Sequence, residues 1–268
     1  MRIAFSTLSC PRWDLETIAR RGVEYGYDGV DFRGLGDELD VYKLPAFTSD
    51  AAATRRRLAD AGLAVAGFST SAHMFDATAA ARAESLDQVR RYAELCRAFG
   101  APLLRVFGGR LDGVPLGEAV GLAAEALERM AAATEPVCVA VETHDDWVAT
   151  GPLAAVMHRV RAANVGLLWD LHHPYRLAGE DPRESYDNIG RLTRGVHVKD
   201  SIANADGTFT PALAGEGDVP LGEMVQLLLD GGYDGYFTVE WEKRWRAEIA
   251  EPEDALPSYA DFLRRVGG

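Results

Sequence analysis

VGLLWDLHHPYRLAGEDPRESYDNIGRLTRGVHVKD, residues 165–200, is the stretch whose reading decides the fold. VGLLWD (165–170) is a short apolar run ending in an acid, and GVHVK (195–199) is a second such run. Between them, residues 182–189 read as a helix. Strand, helix and strand within 36 residues form one βαβ unit, and such units wind right-handed onto a parallel sheet.

The same unit repeats outward in both directions. Further strands are predicted at 2–7, 29–32, 63–69, 103–107, 137–142 and 236–240. Helices are predicted at 14–22, 50–61, 78–99, 116–133, 151–162, 221–229 and 257–266, with Gly62 and Gly100 as C-terminal caps. The strands lack clean polar alternation, as expected where helices cover a parallel sheet. Eight units argue for closure, so the expected fold is α/β, a single (β/α)8 TIM barrel occupying residues 1–268 as one domain. GYDGVDF (26–32) and GYDGYFTVE (232–240) echo one another at two strand starts. The segment 201–220 reads as a long, glycine-containing loop and as the mobile element of the chain.

Bulk properties narrow the function. A net charge of −13 argues against nucleic acid, whose phosphates call for clustered Lys and Arg. Cys10, Cys96 and Cys138 are odd in number and form no CxxC pair, which fits a reducing, cytoplasmic setting. MRIAFST reads as a strand rather than a signal peptide, and no apolar run reaches membrane-spanning length.

Barrel enzymes react at the C-terminal ends of their strands. Five of the six histidines (His73, His144, His172, His173 and His197) fall at or just past a predicted strand end; His158 lies in a helix and is read as having no role. Glu142, Asp170 and Glu240 close strands, and His197 lies within one. Taken singly, such a Glu is a surface carboxylate and such a His a satisfied core residue. Together they converge in a closed barrel, where three carboxylates would repel unless a divalent cation joined them. Oxygen and imidazole donors suit Mn, Co, Mg or Zn. Arg105, inside a strand, is a candidate buried partner for a carboxylate. GGR (108–110) is either a phosphate-receiving turn or a turn only.

VETH (141–144), WDLHH (169–173), HVKD (197–200), GEGDVP (215–220) and VEWEKRW (239–245) resemble the xylose isomerase-like TIM-barrel superfamily, in its sugar phosphate isomerase/epimerase branch. The resemblance implies one divalent metal on Glu142, Asp170, His197 and Glu240, with Glu142 and Glu240 as the acid/base pair. His173 would contact substrate, and His73, Lys199 and Arg105 would line the pocket. Trp13 and Phe107, with Trp147 and Trp241, would wall a sugar ring or serve only in core packing; His172 has no counterpart role. The implied reaction is isomerisation or epimerisation of a sugar or polyol ketone through an enediolate. A lyase or dehydratase acting on a keto-sugar or inosose is the alternative, since the same ligands serve both. An abasic-site endonuclease would need a further His near strand four and an Asp-x-His after strand seven, which HVKDSIAN lacks. A non-catalytic binding barrel is the remaining alternative. The implied partner is a small carbohydrate, with no nucleic acid and no membrane; the family also implies a homodimer or tetramer.

Overall fold

The computed structural model describes residues 1–268. The elements run β1 (Arg2–Ser6), α1 (Leu15–Glu24), β2 (Gly29–Phe32), α2 (Ala51–Ala61), β3 (Ala64–His73), α3 (Ala79–Phe99), β4 (Leu103–Phe107), α4 (Leu116–Thr134) and β5 (Cys138–Glu142). They continue with α5 (Thr150–Met157), β6 (Val165–Asp170), α6 (Pro182–Ile189), β7 (Thr193–Val198), β8 (Asp200–Ala203), β9 (Phe209–Ala212), α7 (Leu221–Asp230), β10 (Tyr236–Val239) and α8 (Pro252–Val266). Eight strands close into a barrel in the order β1-β10-β7-β6-β5-β4-β3-β2, and the fold is a single TIM barrel. No helix is long and apolar enough to cross a membrane.

Local sequence explains the boundaries. Asp14 caps α1 by accepting the Thr17 N–H, and Thr78 caps α3 by accepting that of Ala81. Gly62 and Gly100 end α2 and α3 in the left-handed region, with φ of 85° and 71°.

The chain forms two compact units. Residues 67–195 form one, and residues 1–66 with 196–268 form the other. In the first, β4, β5 and β6 pair in parallel, with Arg105 opposite Ala140 and Glu142 opposite Leu168. Leu103, Ala140 and Leu168 form one buried apolar cluster. Side chains two residues apart share a face of a strand. Arg105, Glu142 and Asp170 therefore stand one step beyond this cluster, towards the C-terminal strand ends. In the second unit, β7 and β10 place Thr238 opposite His197, and the same spacing sets Lys199 and Glu240 beyond that pair.

Four expectations are corrected. Segment 201–220 is not structureless: β8 and β9 form an antiparallel hairpin, with Asp200 opposite Ala212. Its turn contains Asp206-Gly207, a hairpin signal that the length of the segment concealed. The last helix begins at Pro252 rather than 257. Pro252 is the residue at the helix start, and Pro257 lies one turn inside, where it forgoes only one early hydrogen bond. α5 stops at Met157 rather than 162. β3 also runs on from 69 to His73.

Candidate metal centre

Glu142, Asp170, His197 and Glu240 each offer one ligand atom, all within 4.8 Å of one another, and all four side chains are buried. Glu142 is the last residue of β5 and Asp170 the last of β6. His197 lies in β7, and Glu240 follows β10 directly.

In the 67–195 unit, Arg105 Nε stands 3.2 Å from Glu142 Oε2, both residues being 1% exposed. The guanidinium also donates to the Thr70 carbonyl at 2.8 Å and lies 3.8 Å from the Phe107 ring centroid. Arg105 is therefore a fixed buried cation against Glu142, the carboxylate-partner reading that its sequence position left open. Asp170 Oδ1 accepts the backbone N–H groups of His172 (2.9 Å) and His173 (3.1 Å). Thr143 Oγ1 accepts the Asp170 N–H at 3.0 Å, and the Thr143 carbonyl accepts His173 Nδ1–H at 2.9 Å. A carbonyl can only accept, so His173 carries a proton on Nδ1, and in the neutral ring Nε2 is the acceptor. His173 caps a single turn of π-helix, Pro174–Ala178, a device often found at functional sites.

His73, Phe107, His144, His173 and His172 form a run of ring contacts, with centroids 6.1, 4.6, 4.9 and 5.7 Å apart in that order. The Asp76 carboxylate, 3.1 Å from His73 Nδ1, raises the His73 pKa against the opposing effect of burial. Burial works against the charged form of Asp145, but His144 and the Gly109 N–H outweigh it and hold that carboxyl below its usual value. The Gly109 and Leu111 N–H groups donate to Asp145 and Asp146 at 3.1 and 2.8 Å. Within the 108–110 turn the Gly109 N–H is thus taken by a carboxylate, and a second carboxylate lies on the adjoining Leu111 N–H, which disfavours a phosphate there.

In the other unit, Glu240 Oε1 lies 3.3 Å from His197 Nδ1, and Glu240 Oε2 lies 2.7 Å from Lys199 Nζ. Lys199 also reaches Glu242 Oε1 at 3.1 Å. Trp13 packs elsewhere: its indole N–H donates to Glu253 at 3.1 Å and its ring meets Tyr25. Trp147 is fully buried against Phe75, and Trp241 donates to the Ala250 carbonyl. His158 is an exposed residue at the end of α5. Thr143 and Glu242 had no role assigned from sequence. The signal for both was adjacency, since each sits within two residues of a ligand candidate.

The donor set suits a divalent cation. Three carboxylates and one imidazole are hard to borderline donors, and two cationic side chains leave the three carboxylates incompletely neutralised. The four buried groups could together hold one metal ion.

The family described as Xylose isomerase-like TIM barrel matches residues 19–266. Fructoselysine 3-epimerase of Escherichia coli O157:H7 is 37% identical over 71 residues, a match that covers 26% of this chain and only 24% of the epimerase. Two solved structures superpose on almost the whole chain. The IOLI protein with a binding zinc atom gives a TM-score of 0.84 at 17% identity, covering 99% of this chain and 98% of that one. A probable 3-DHS dehydratase involved in petrobactin synthesis, from Bacillus anthracis, gives 0.80 at 17% identity, covering 98% and 99%. At such identities the likeness is one of fold.

Proposed function

The chain belongs to the xylose isomerase-like TIM-barrel family, and on that premise we propose that it is a divalent-metal-dependent isomerase or epimerase of a sugar or polyol ketone, with residues 1–268 acting as one domain. The observation that carries this reading is the buried group of Glu142, Asp170, His197 and Glu240. These four would hold Mn, Co, Mg or Zn. The bound cation supplies Lewis-acid stabilisation of the negative charge that develops on a substrate oxygen when the neighbouring carbon loses its proton.

The chain's own residues supply the rest. One of Glu142 and Glu240 takes the carbon-bound proton, and the other delivers a proton from the opposite side. Return at the same carbon gives an epimer, and return at the next carbon gives an isomer. Lys199 holds one oxygen of Glu240 by a hydrogen bond, which orients the other, and the Arg105 guanidinium lies against Glu142 as an ion pair. His173 offers Nε2 to a substrate hydroxyl, while His73 and Phe107 wall the sugar. Trp13 is left out of this reading because its contacts are to Glu253 and Tyr25. The three cysteines are unpaired, in keeping with a reducing, cytoplasmic setting.

The test is elemental analysis of protein purified without chelator, followed by incubation of ketoses and keto-sugars in D2O. About one equivalent of metal is expected, lost in His197→Ala and Glu240→Ala, with deuterium entering the carbon next to the carbonyl. Failure to bind metal after reconstitution overturns the reading. Loss of water or of a glycosidic group from the product would redirect it to the lyase chemistry.

A further inference from the structure

A cavity of about 600 Å³ lies between the β8–β9 hairpin and the segment that follows Glu240. That volume falls within the roughly 300–1,000 Å³ of small-molecule sites. Ile202, Phe209, Leu213, Trp241 and Ile249 give it apolar walls. Ile202 is 46% exposed, and an apolar side chain left open inside a concave surface gains by being covered.

Both walls are braced. The Asp200 carboxylate accepts N–H groups from Ser201, Gly215 and Gly217 at 2.8, 2.9 and 3.2 Å. The Tyr259 hydroxyl accepts the Asp200 N–H and donates to the Ala212 carbonyl, tying the hairpin to α8. Opposite, Lys243 Nζ donates to the carbonyls of Ala247 and Ile249 at 2.7 and 2.6 Å, and Trp241 Nε1 donates to that of Ala250 at 2.9 Å. The cleft is thus pre-formed rather than an accident of slack loops.

A relay of side chains joins it to the proposed acid/base machinery. Arg246 lines the cleft, with its guanidinium 5.4 Å from the Phe209 ring centroid and its Nε 3.4 Å from Glu242 Oε2. Glu242 reaches Lys199 at 3.1 Å, and Lys199 reaches Glu240 at 2.7 Å. Trp241, in the cleft wall, is the residue after Glu240.

Resting on the reading above, we propose that this cleft seats an uncharged aryl substituent, so that the substrate is a sugar ketone carrying an aromatic appendage and not a free monosaccharide. Phe209 and Arg246 form a ring-and-guanidinium face suited to an aromatic edge or face. Glu216 and Glu248 also line the cleft and repel a phosphate or carboxylate tail.

Phenyl β-D-glucopyranoside and methyl β-D-glucopyranoside are the probes, titrated calorimetrically into metal-loaded protein. The phenyl glycoside is expected to bind about tenfold more tightly or better. Thr210→Trp, at an exposed cleft position, should remove that advantage by filling the space, and Phe209→Leu should reduce it. Equal affinities, no phenyl binding, or an advantage that survives Thr210→Trp overturns the proposal. Metal content of the same protein, and deuterium exchange into ketoses and keto-sugars in separate incubations, report on the metal-enzyme reading: their failure sinks that reading, whereas their success with no phenyl preference sinks only the cleft.

Discussion

Lys199 and Glu240 form a buried ion pair, with Nζ 2.7 Å from Oε2 and the lysine 7% exposed. Replacing one partner of such a pair leaves the other charge uncompensated, at a cost of about 3–5 kcal/mol. Lys199→Met should therefore lower the thermal midpoint while retaining metal, because the ligand group becomes more negative. If Lys199 orients Glu240, turnover should fall about 100-fold. Unchanged turnover in folded, metal-loaded variant would show that Lys199 has no part in the chemistry.

Glu142→Gln keeps the shape of the side chain but gives Arg105 a neutral partner. Deuterium exchange into substrate should drop by about 10³-fold or more, since both a metal donor and a proton carrier are lost. Near-normal exchange would remove Glu142 from the acid/base pair.

The hydrogen bond to Asp76 raises the His73 pKa above its ordinary 6.5. A raised histidine pKa means that this contact contributes its full stability below the ordinary value and loses it as pH rises through the folded value. In Asp76→Asn, the NMR titration of His73 should move back down. The wild-type margin of stability over the variant should shrink as pH climbs through the His73 titration. A titration at the same pH in both proteins would contradict the pairing.

A Cβ added at Gly217 would lie 2.0 Å from Asp200 Oδ1. Gly217→Ala should displace the carboxylate that ties the base of the hairpin to the N–H groups of Gly215 and Gly217, costing about 1–3 kcal/mol. Limited proteolysis should then cut within 204–208 sooner than in wild type. Equal cleavage rates would mean that the hairpin does not depend on Asp200.

The barrel was legible wherever a short apolar run met a clear stop. Strands 29–32, 103–107 and 165–170 and helix 182–189 match the structure to the residue, because Gly29, Asp170 and Pro182 mark edges by local chemistry. The hairpin was not, because its two four-residue strands are too short to show a pattern and its base is fixed by Asp200 reaching residues 15 to 17 positions ahead. The four ligand candidates stood out because acids and histidines at successive strand ends form a pattern along the chain. Thr143 was hidden for the opposite reason: it works through its hydroxyl and its carbonyl, and a carbonyl has no signature in sequence. Trp13 shows the limit of residue type as a guide, since an aromatic near a barrel mouth suits a sugar wall and a helix contact equally.

Closure of the barrel has a consequence for solubility. Every barrel strand has a neighbour on both sides, so β8 and β9 alone present open edges. An open edge invites pairing with another chain, and a proline in such a strand cannot donate to an incoming partner. Pro211 sits in β9, opposite Ser201. The hairpin that the barrel carries on its rim thus includes its own guard against strand-by-strand aggregation.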